Sequence, residues 1–158
     1  MAVALEKDVV ELLLNNETVK VLVTLDEKGD PHAVVKQSIE LAEDGNLLHL
    51  EFIESSRTNK NLVRAIWYDR RVAVSLKGKG DVSYQIKGRP VRSIVAGPVF
   101  QKHYTTARER LGDVDLAAVW VIEPEEVINE SFSVRLAEEE ARHPYFLHLD
   151  RIAKSSGA

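Results

Sequence analysis

Between Val19 and Ile53 the chain spells three short strand-like stretches separated by two tight turns, with no room for a helix between them. Val19, Val21, Val23 and Leu25 alternate with Lys20, Leu22 and Thr24, the period of a half-buried strand. Asp26-Glu27-Lys28-Gly29-Asp30-Pro31 is turn chemistry, with glycine for a positive φ and proline to stop ladder bonding. A second strand is predicted over residues 32–41, with Ala33, Val35, Ile39 and Leu41 on one face and Val34, Lys36, Ser38 and Glu40 on the other. Glu43-Asp44-Gly45-Asn46 is a hairpin-type turn, and residues 47–53 form the third strand. Three strands joined this way make a meander.

The rest of the chain keeps the same character. Residues 5–14 place Leu5, Val9, Leu12 and Leu13 near one helical face, before Asn15-Asn16 offers a stop. A polar stretch, residues 55–61, leads into a helix running to about Trp67, with Leu62 and Ile66 one turn apart, as are Val63 and Trp67. Val72, Val74 and Leu76 mark a strand. Val82, Tyr84 and Ile86 mark another, and Gly88-Arg89-Pro90 is predicted to turn the chain before residues 91–95 rejoin the sheet. Gly97-Pro98 opens a helix that places Phe100, Tyr104, Ala107 and Leu111 at helical spacing and ends at Gly112. Residues 116–122 form a strand, Pro124 interrupts it, and a last strand follows near residues 127–134. Strands do not alternate strictly with helices, which argues against a doubly wound parallel sheet. The expectation is a mainly β chain: a small antiparallel barrel with peripheral helices. No internal repeat or linker divides it, and the charged segment after Leu136 is read as an extension.

Composition closes off several classes of function. With no cysteine among 158 residues, disulfides, thiolate metal sites and cysteine nucleophiles are excluded. The formal charge is −4, from 21 Lys and Arg against 25 Asp and Glu, which argues against nucleic acid as the main partner. No apolar run approaches the roughly 20 residues of a membrane helix. The charged N-terminal segment lacks a signal-peptide core, so the expected location is cytoplasmic. His32, His49, His103, His143 and His148 show no metal-ligand spacing and read as scattered surface or turn positions, so no metal is expected. No nucleophile elbow and no phosphate-binding P-loop are present.

The segment Ser55-Ser56-Arg57-Thr58-Asn59-Lys60-Asn61 is the most informative for chemistry. It sets hydroxyls and cations between a strand end and a helix start. Free amides at a helix N-terminus and an arginine fork both suit an anion such as phosphate, although serine and threonine there also act simply as caps.

Taken with its neighbours, this segment resembles the FMN-binding split-barrel superfamily, the group containing pyridoxamine 5′-phosphate oxidases and small bacterial FMN-binding proteins. The likeness rests on Gly29-Asp30-Pro31-His32-Ala33-Val34-Val35-Lys36 and Ser56-Arg57-Thr58-Asn59-Lys60-Asn61-Leu62. It continues through Arg71-Val72-Ala73-Val74-Ser75-Leu76, Tyr84-Gln85-Ile86-Lys87-Gly88, Gly97-Pro98-Val99-Phe100 and Val119-Trp120-Val121-Ile122-Glu123-Pro124. The order and spacing of these motifs carry it from about Leu5 to Val134.

The resemblance implies a six-stranded antiparallel split β-barrel over residues 1–135, with a charged extension over 136–158, and a homodimer holding FMN in clefts at its interface. It places His32, Ala33, Val34, Val35 and Lys36 along the isoalloxazine ring. Arg57 and Thr58 fall on the phosphate, with Ser55, Ser56, Lys60 and Asn61 nearby, and Gln85 lies close to the flavin. Lys36 would bring positive charge to the ring, or stand as a solvated strand lysine. The implied activity is FMN-dependent redox chemistry on a small molecule, with no obligatory acid or base evident. The alternatives are a flavin-carrying electron-transfer protein, a barrel that binds haem through His32 or a tail histidine such as His143, one that binds a deazaflavin, and a partner-binding barrel. The tail Arg142-His143-Pro144-Tyr145-Phe146-Leu147-His148-Leu149-Asp150-Arg151 does not match the oxidases' carboxyl-terminal motif, which weighs against vitamin B6 oxidation.

Overall fold

A computed structural model describes residues 1–143. The elements in chain order are α1 (Lys7–Leu14), β1 (Val19–Leu25), β2 (Pro31–Val35), β3 (Ile39–Leu41), β4 (Leu47–Glu51), α2 (Arg57–Trp67), β5 (Val72–Lys77), β6 (Ser83–Ile94), α3 (Pro98–Leu111), β7 (Ala118–Asn129) and α4 (Phe132–Arg142). All strand pairs are antiparallel, in one seven-stranded sheet ordered β2-β1-β5-β6-β7-β4-β3.

That order dictates the shape. β2 and β3 sit at opposite edges of the sheet, yet only residues 36–38 separate them. So short a link spans about 10 Å at full extension, so the two edges must lie side by side. The sheet is therefore rolled into a split barrel, with the split at the β2–β3 link. Here the expected count of six strands becomes seven. The stretch predicted as one strand over 32–41 breaks at 36–38; β2 pairs with β1 from Val35↔Val21 and β3 pairs with β4 from Ile39↔His49. The break also divides the predicted apolar face. Ile39 is fully buried, whereas Ala33 and Val35 are exposed on this chain.

The barrel interior is filled by Leu22, Ile39, Leu47, Val72, Val74, Leu76, Ile86, Trp120 and Ile122, joined by Val9 and Leu13 of α1 and by Leu62 and Ala65 of α2. A second cluster, Leu48, Leu50, Leu116, Val119 and Val121, lies on the other face of β4 and β7. Phe100 and Tyr104 of α3 pack over it, stacked with centroids 6.1 Å apart. β4 is thus buried on both faces.

Three further expectations are corrected. The turn predicted at Gly88-Arg89-Pro90 lies within one continuous strand, β6, which bends through register shifts at 87/88 and 90/92. Gly88 faces Pro124, and a Cβ there would run into the Glu123 carbonyl, so the close approach of β6 and β7 requires glycine. Pro124 does not end its strand, because the same irregularity absorbs its missing N–H. The last predicted strand, near 127–134, stops at Asn129. Ser131 is tied to Ser83 by two hydrogen bonds and starts α4. On α2 the buried residues are Thr58, Asn61, Leu62 and Ala65, while Val63, Ile66 and Trp67 face outward.

Candidate functional site

The barrel's split builds the site. At the break, main-chain pairing gives way to a side chain. The Gln37 amide accepts the Lys20 N–H through Oε1 and donates through Nε2 to the Thr18 carbonyl, both at 2.9 Å. One glutamine thus replaces a residue of the ladder and lets the strand kink. The Lys36 N–H still reaches the Lys20 carbonyl at 2.8 Å, and the Ile39 N–H closes a turn onto the Lys36 carbonyl at 3.4 Å. The Gln37 and Ser38 amide N–H groups have no acceptor among the described residues.

Across the kink, β4 presents His49 and Glu51, two residues apart and on one face. Both are almost wholly buried. His49 Nε2 lies 3.1 Å from Glu51 Oε2, and Ser38 Oγ lies 3.4 Å from His49 Nδ1 while donating to the Leu50 carbonyl at 2.9 Å. Lys36 Nζ lies 3.4 Å from Glu51 Oε2, and the Ile53 N–H donates to Glu51 Oε1 at 3.1 Å. Burial pushes the Glu51 carboxyl up, but the His49 and Ile53 hydrogen bonds and the Lys36 charge outweigh it and hold it down at about 2. For His49 burial dominates and lowers its pKa, with Glu51 opposing, so the imidazole is neutral at pH 7. The consistent arrangement is Nε2–H donating to the carboxylate and the Nδ1 lone pair facing Ser38.

This cluster borders a cleft of about 380 Å³ between the kink, the end of β4 and α3. Val35, Leu50, Phe52, Ile53 and Leu111 give it apolar walls, and Lys36, Ser38 and Glu51 open onto it. At its rim Arg110 and His103 of α3 approach Glu40 at 3.6 and 3.9 Å. Lys20, beneath Glu40, donates to the Ile39 carbonyl at 2.9 Å, and burial lowers its pKa.

Of the residues singled out from the sequence, Val35 and Lys36 line the cleft. Lys36 is not a solvated strand lysine: its side chain is mostly buried against Glu51. His32 and Val34 are half-buried on β2, opposite Thr24 and Leu22. Ile53, on the cleft wall, precedes Ser55 by two residues. Ser55, Arg57 and Lys60 are exposed, and neither Arg57 nor Lys60 has an ion pair among the described residues. Ser56 caps α2, its Oγ accepting the Asn59 N–H at 3.0 Å. Thr58 and Asn61 are buried, with Asn61 Nδ2 donating to Thr24 Oγ1 at 3.0 Å. The Arg57 and Thr58 amide N–H groups have no acceptor among the described residues, as the first turn of a helix requires. Gln85 lies on β6 between Ser75 and Ile128, outside the cleft lining.

His49, Glu51, Ser38 and Gln37 were not expected. His49 is not a surface or turn position but fully buried in β4. The signal was present in Leu47-Leu48-His49-Leu50-Glu51, where two ionisable residues share one face of a strand otherwise leucine on both faces. His143 caps the end of α4. His148 lies outside the described residues.

No protein-family model matches the chain, and no curated protein sequence matches it. Solved structures do. HupZ of Group A Streptococcus superposes with a TM-score of 0.66 at 19% identity, over 81% of this chain and 95% of that one. An FMN-binding protein from Syntrophomonas wolfei gives 0.62 at 15% identity, over 77% and 83%. HutZ of Vibrio cholerae, described as a haem storage protein, gives 0.52 at 13% identity, over 80% and 95%. The sheet order and these superpositions agree: this chain has the split-barrel fold of these proteins.

Proposed function

We propose that the chain is an FMN-binding flavoprotein, working as a cytoplasmic homodimer in redox chemistry on a small molecule. One observation carries this reading: an apolar-walled cleft whose β4 wall runs directly into a helix N-terminus bearing Arg57 and Lys60 without ion pairs among the described residues. The donor set fits a dianionic phosphate. Arg57 offers a bidentate fork, Lys60 a second charge, Ser55 a hydroxyl, and the first turn of α2 its free amides. The apolar walls and the unpartnered Gln37 and Ser38 amides suit a flat ring carrying carbonyl groups. FMN, when bound, supplies hydride or single-electron transfer at its ring.

The protein's own residues bind and orient. Val35 and Ile53 give one side of the cleft an apolar lining, and Lys36 sets a positive charge at its floor, shared with Glu51. Val35, 57% exposed, and Ile53, 60% exposed, give the cleft's outer edge an apolar surface that a second protomer would cover.

The test is an absorption spectrum of purified protein, with and without added FMN, before and after gel filtration. Flavin bands that travel with the protein are expected, and anaerobic NADH or NADPH should bleach them. A Soret band in place of flavin bands would overturn the FMN reading in favour of haem, the ligand class in HutZ's description. No retained chromophore would remove the redox reading altogether.

A further inference from the structure

We propose that Ser38, His49 and Glu51 form a proton relay that takes a proton from an O–H or N–H group of a ligand held in the cleft. It rests on the reading of the cleft as a ligand site and adds the chemistry that reading lacks: a base. Three observations carry it. Ser38 and Glu51 are on the cleft wall. His49 is fully buried behind them, so its Nδ1 meets the cleft only through the Ser38 hydroxyl at 3.4 Å. Glu51 fixes the other ring nitrogen at 3.1 Å and is itself held by the Ile53 N–H and by Lys36.

The step balances without another reactant. The ligand's X–H bond breaks and its proton passes to Ser38 Oγ, while the Ser38 hydroxyl proton moves to His49 Nδ1. The ligand keeps the electron pair as an anion. His49 becomes an imidazolium beside the Glu51 carboxylate, and an ion pair within the barrel offsets the cost of charging a buried ring. The groups around His49 set the direction. Glu51 on its own strand favours the imidazolium and Lys36 from the kink opposes it, whereas β3 and β7 present Ile39 and Trp120 opposite it, neither titratable. On the cleft side Lys36 and Arg110 favour the ligand's anion, and their partners Glu51 and Glu40 oppose it. Ser38 hydrogen-bonds to the Leu50 carbonyl in this structure, and rotation of one hydroxyl hydrogen redirects it to His49.

The experiment uses the flavin-free full-length protein, ¹⁵N-labelled at histidine, with 4-nitrophenol as the probe because its ionisation is read from its colour. At a pH where the free phenol is mostly protonated, binding should raise its phenolate fraction by about tenfold, a shift of about one pH unit. The His49 ring resonances should move from the neutral Nε2–H pattern to imidazolium at the same time. Ser38→Ala should bind the phenol yet leave both it and His49 neutral, and Ser38→Thr, which restores a hydroxyl, should recover the transfer. A cluster that only braces the kink would change stability in these variants but not proton transfer. His49 staying neutral in the presence of phenol, no phenol binding, or Ser38→Ala behaving like the parent would each overturn the relay. The same sample titrated with FMN separates the two readings: flavin retained without proton transfer to His49 removes the relay and keeps the cofactor, and the converse result does the reverse.

Discussion

Two groups of charge lie at either end of one strand connection, and they are held in opposite ways. At the α2 N-terminus, Arg57 and Lys60 stand in solvent without an ion pair among the described residues. At the kink, His49 and Glu51 are buried and bonded to each other, and Lys36, half-buried, reaches Glu51. A charge in water costs the fold almost nothing and is free to meet a ligand. A charge removed from water must be compensated by the protein itself, so its loss is felt in folding first. The first group is therefore suited to capture an anion and the second to hold a fixed field and a proton.

The largest effect that could break this contrast is Glu51→Ala. It strands the Lys36 ammonium and the His49 ring, and should cost about 3–5 kcal/mol of stability in a denaturant melt. A loss below about 1 kcal/mol would place Glu51 among ordinary surface carboxylates. Acid should show the same dependence. Glu51 titrates at about 2 in the fold against 4.5 as its ordinary value, so its stabilisation is complete above 4.5 and disappears as pH falls toward 2. The amount is on the order of 3 kcal/mol. His49, held neutral by burial, adds a loss that begins as pH drops below 6.5. Thermal melts of Glu51→Ala and the parent should thus converge through the lower window.

Arg57→Ala should do the reverse, leaving the melt unchanged and weakening FMN binding about tenfold to a hundredfold, the value of a charge-assisted contact of about 1.5–3 kcal/mol. Lys79→Ala, in the exposed loop after β5, should leave flavin affinity as it is. Equal affinities in the two variants would move the phosphate away from α2. The smallest effect is Ser56→Ala, which removes the Asn59 cap and should lower stability by about 1 kcal/mol in the same melts.

Much of the fold was legible because its signals are local. Gly29 and Gly45 both take positive φ at the turns where the sequence places them, and α3 runs from Pro98 to Leu111 between Gly97 and Gly112 as its punctuation predicts. The failures share a cause. The stretch over 32–41 alternates like one strand, and nothing within it says that Gln37 will pair with Lys20 and Thr18 and so bend it. Pro124 and Gly88-Arg89-Pro90 carry the signs of turns, but each signal is met by an irregularity facing it on the other strand, which a single segment cannot display. On α2 the pairs Leu62/Ile66 and Val63/Trp67 were equally good candidates for a buried face until Asn61 and Ala65 turned inward.

The site divides along the same line. Arg57 and Lys60 could be read as ligand-facing because a polar run before a helix exposes its cations whatever the rest of the chain does. One hairpin turn separates Ser38 from His49, and the β3–β4 register carries Ser38 alongside Leu50, but nothing in the order of residues brings Lys36, beyond a break in pairing, to Glu51. Barrel closure does so: with β2 and β3 at opposite edges of the sheet and only residues 36–38 to join them, the kink must cross the end of β4. The helix start with its cations, the turns at Gly29 and Gly45 and most of the strand cores were readable from the residues, because each follows from interactions within a few positions. That a histidine and a glutamate in a leucine strand are buried together beside a cleft follows from the closed barrel, because burial is a property of the whole surface and not of any segment.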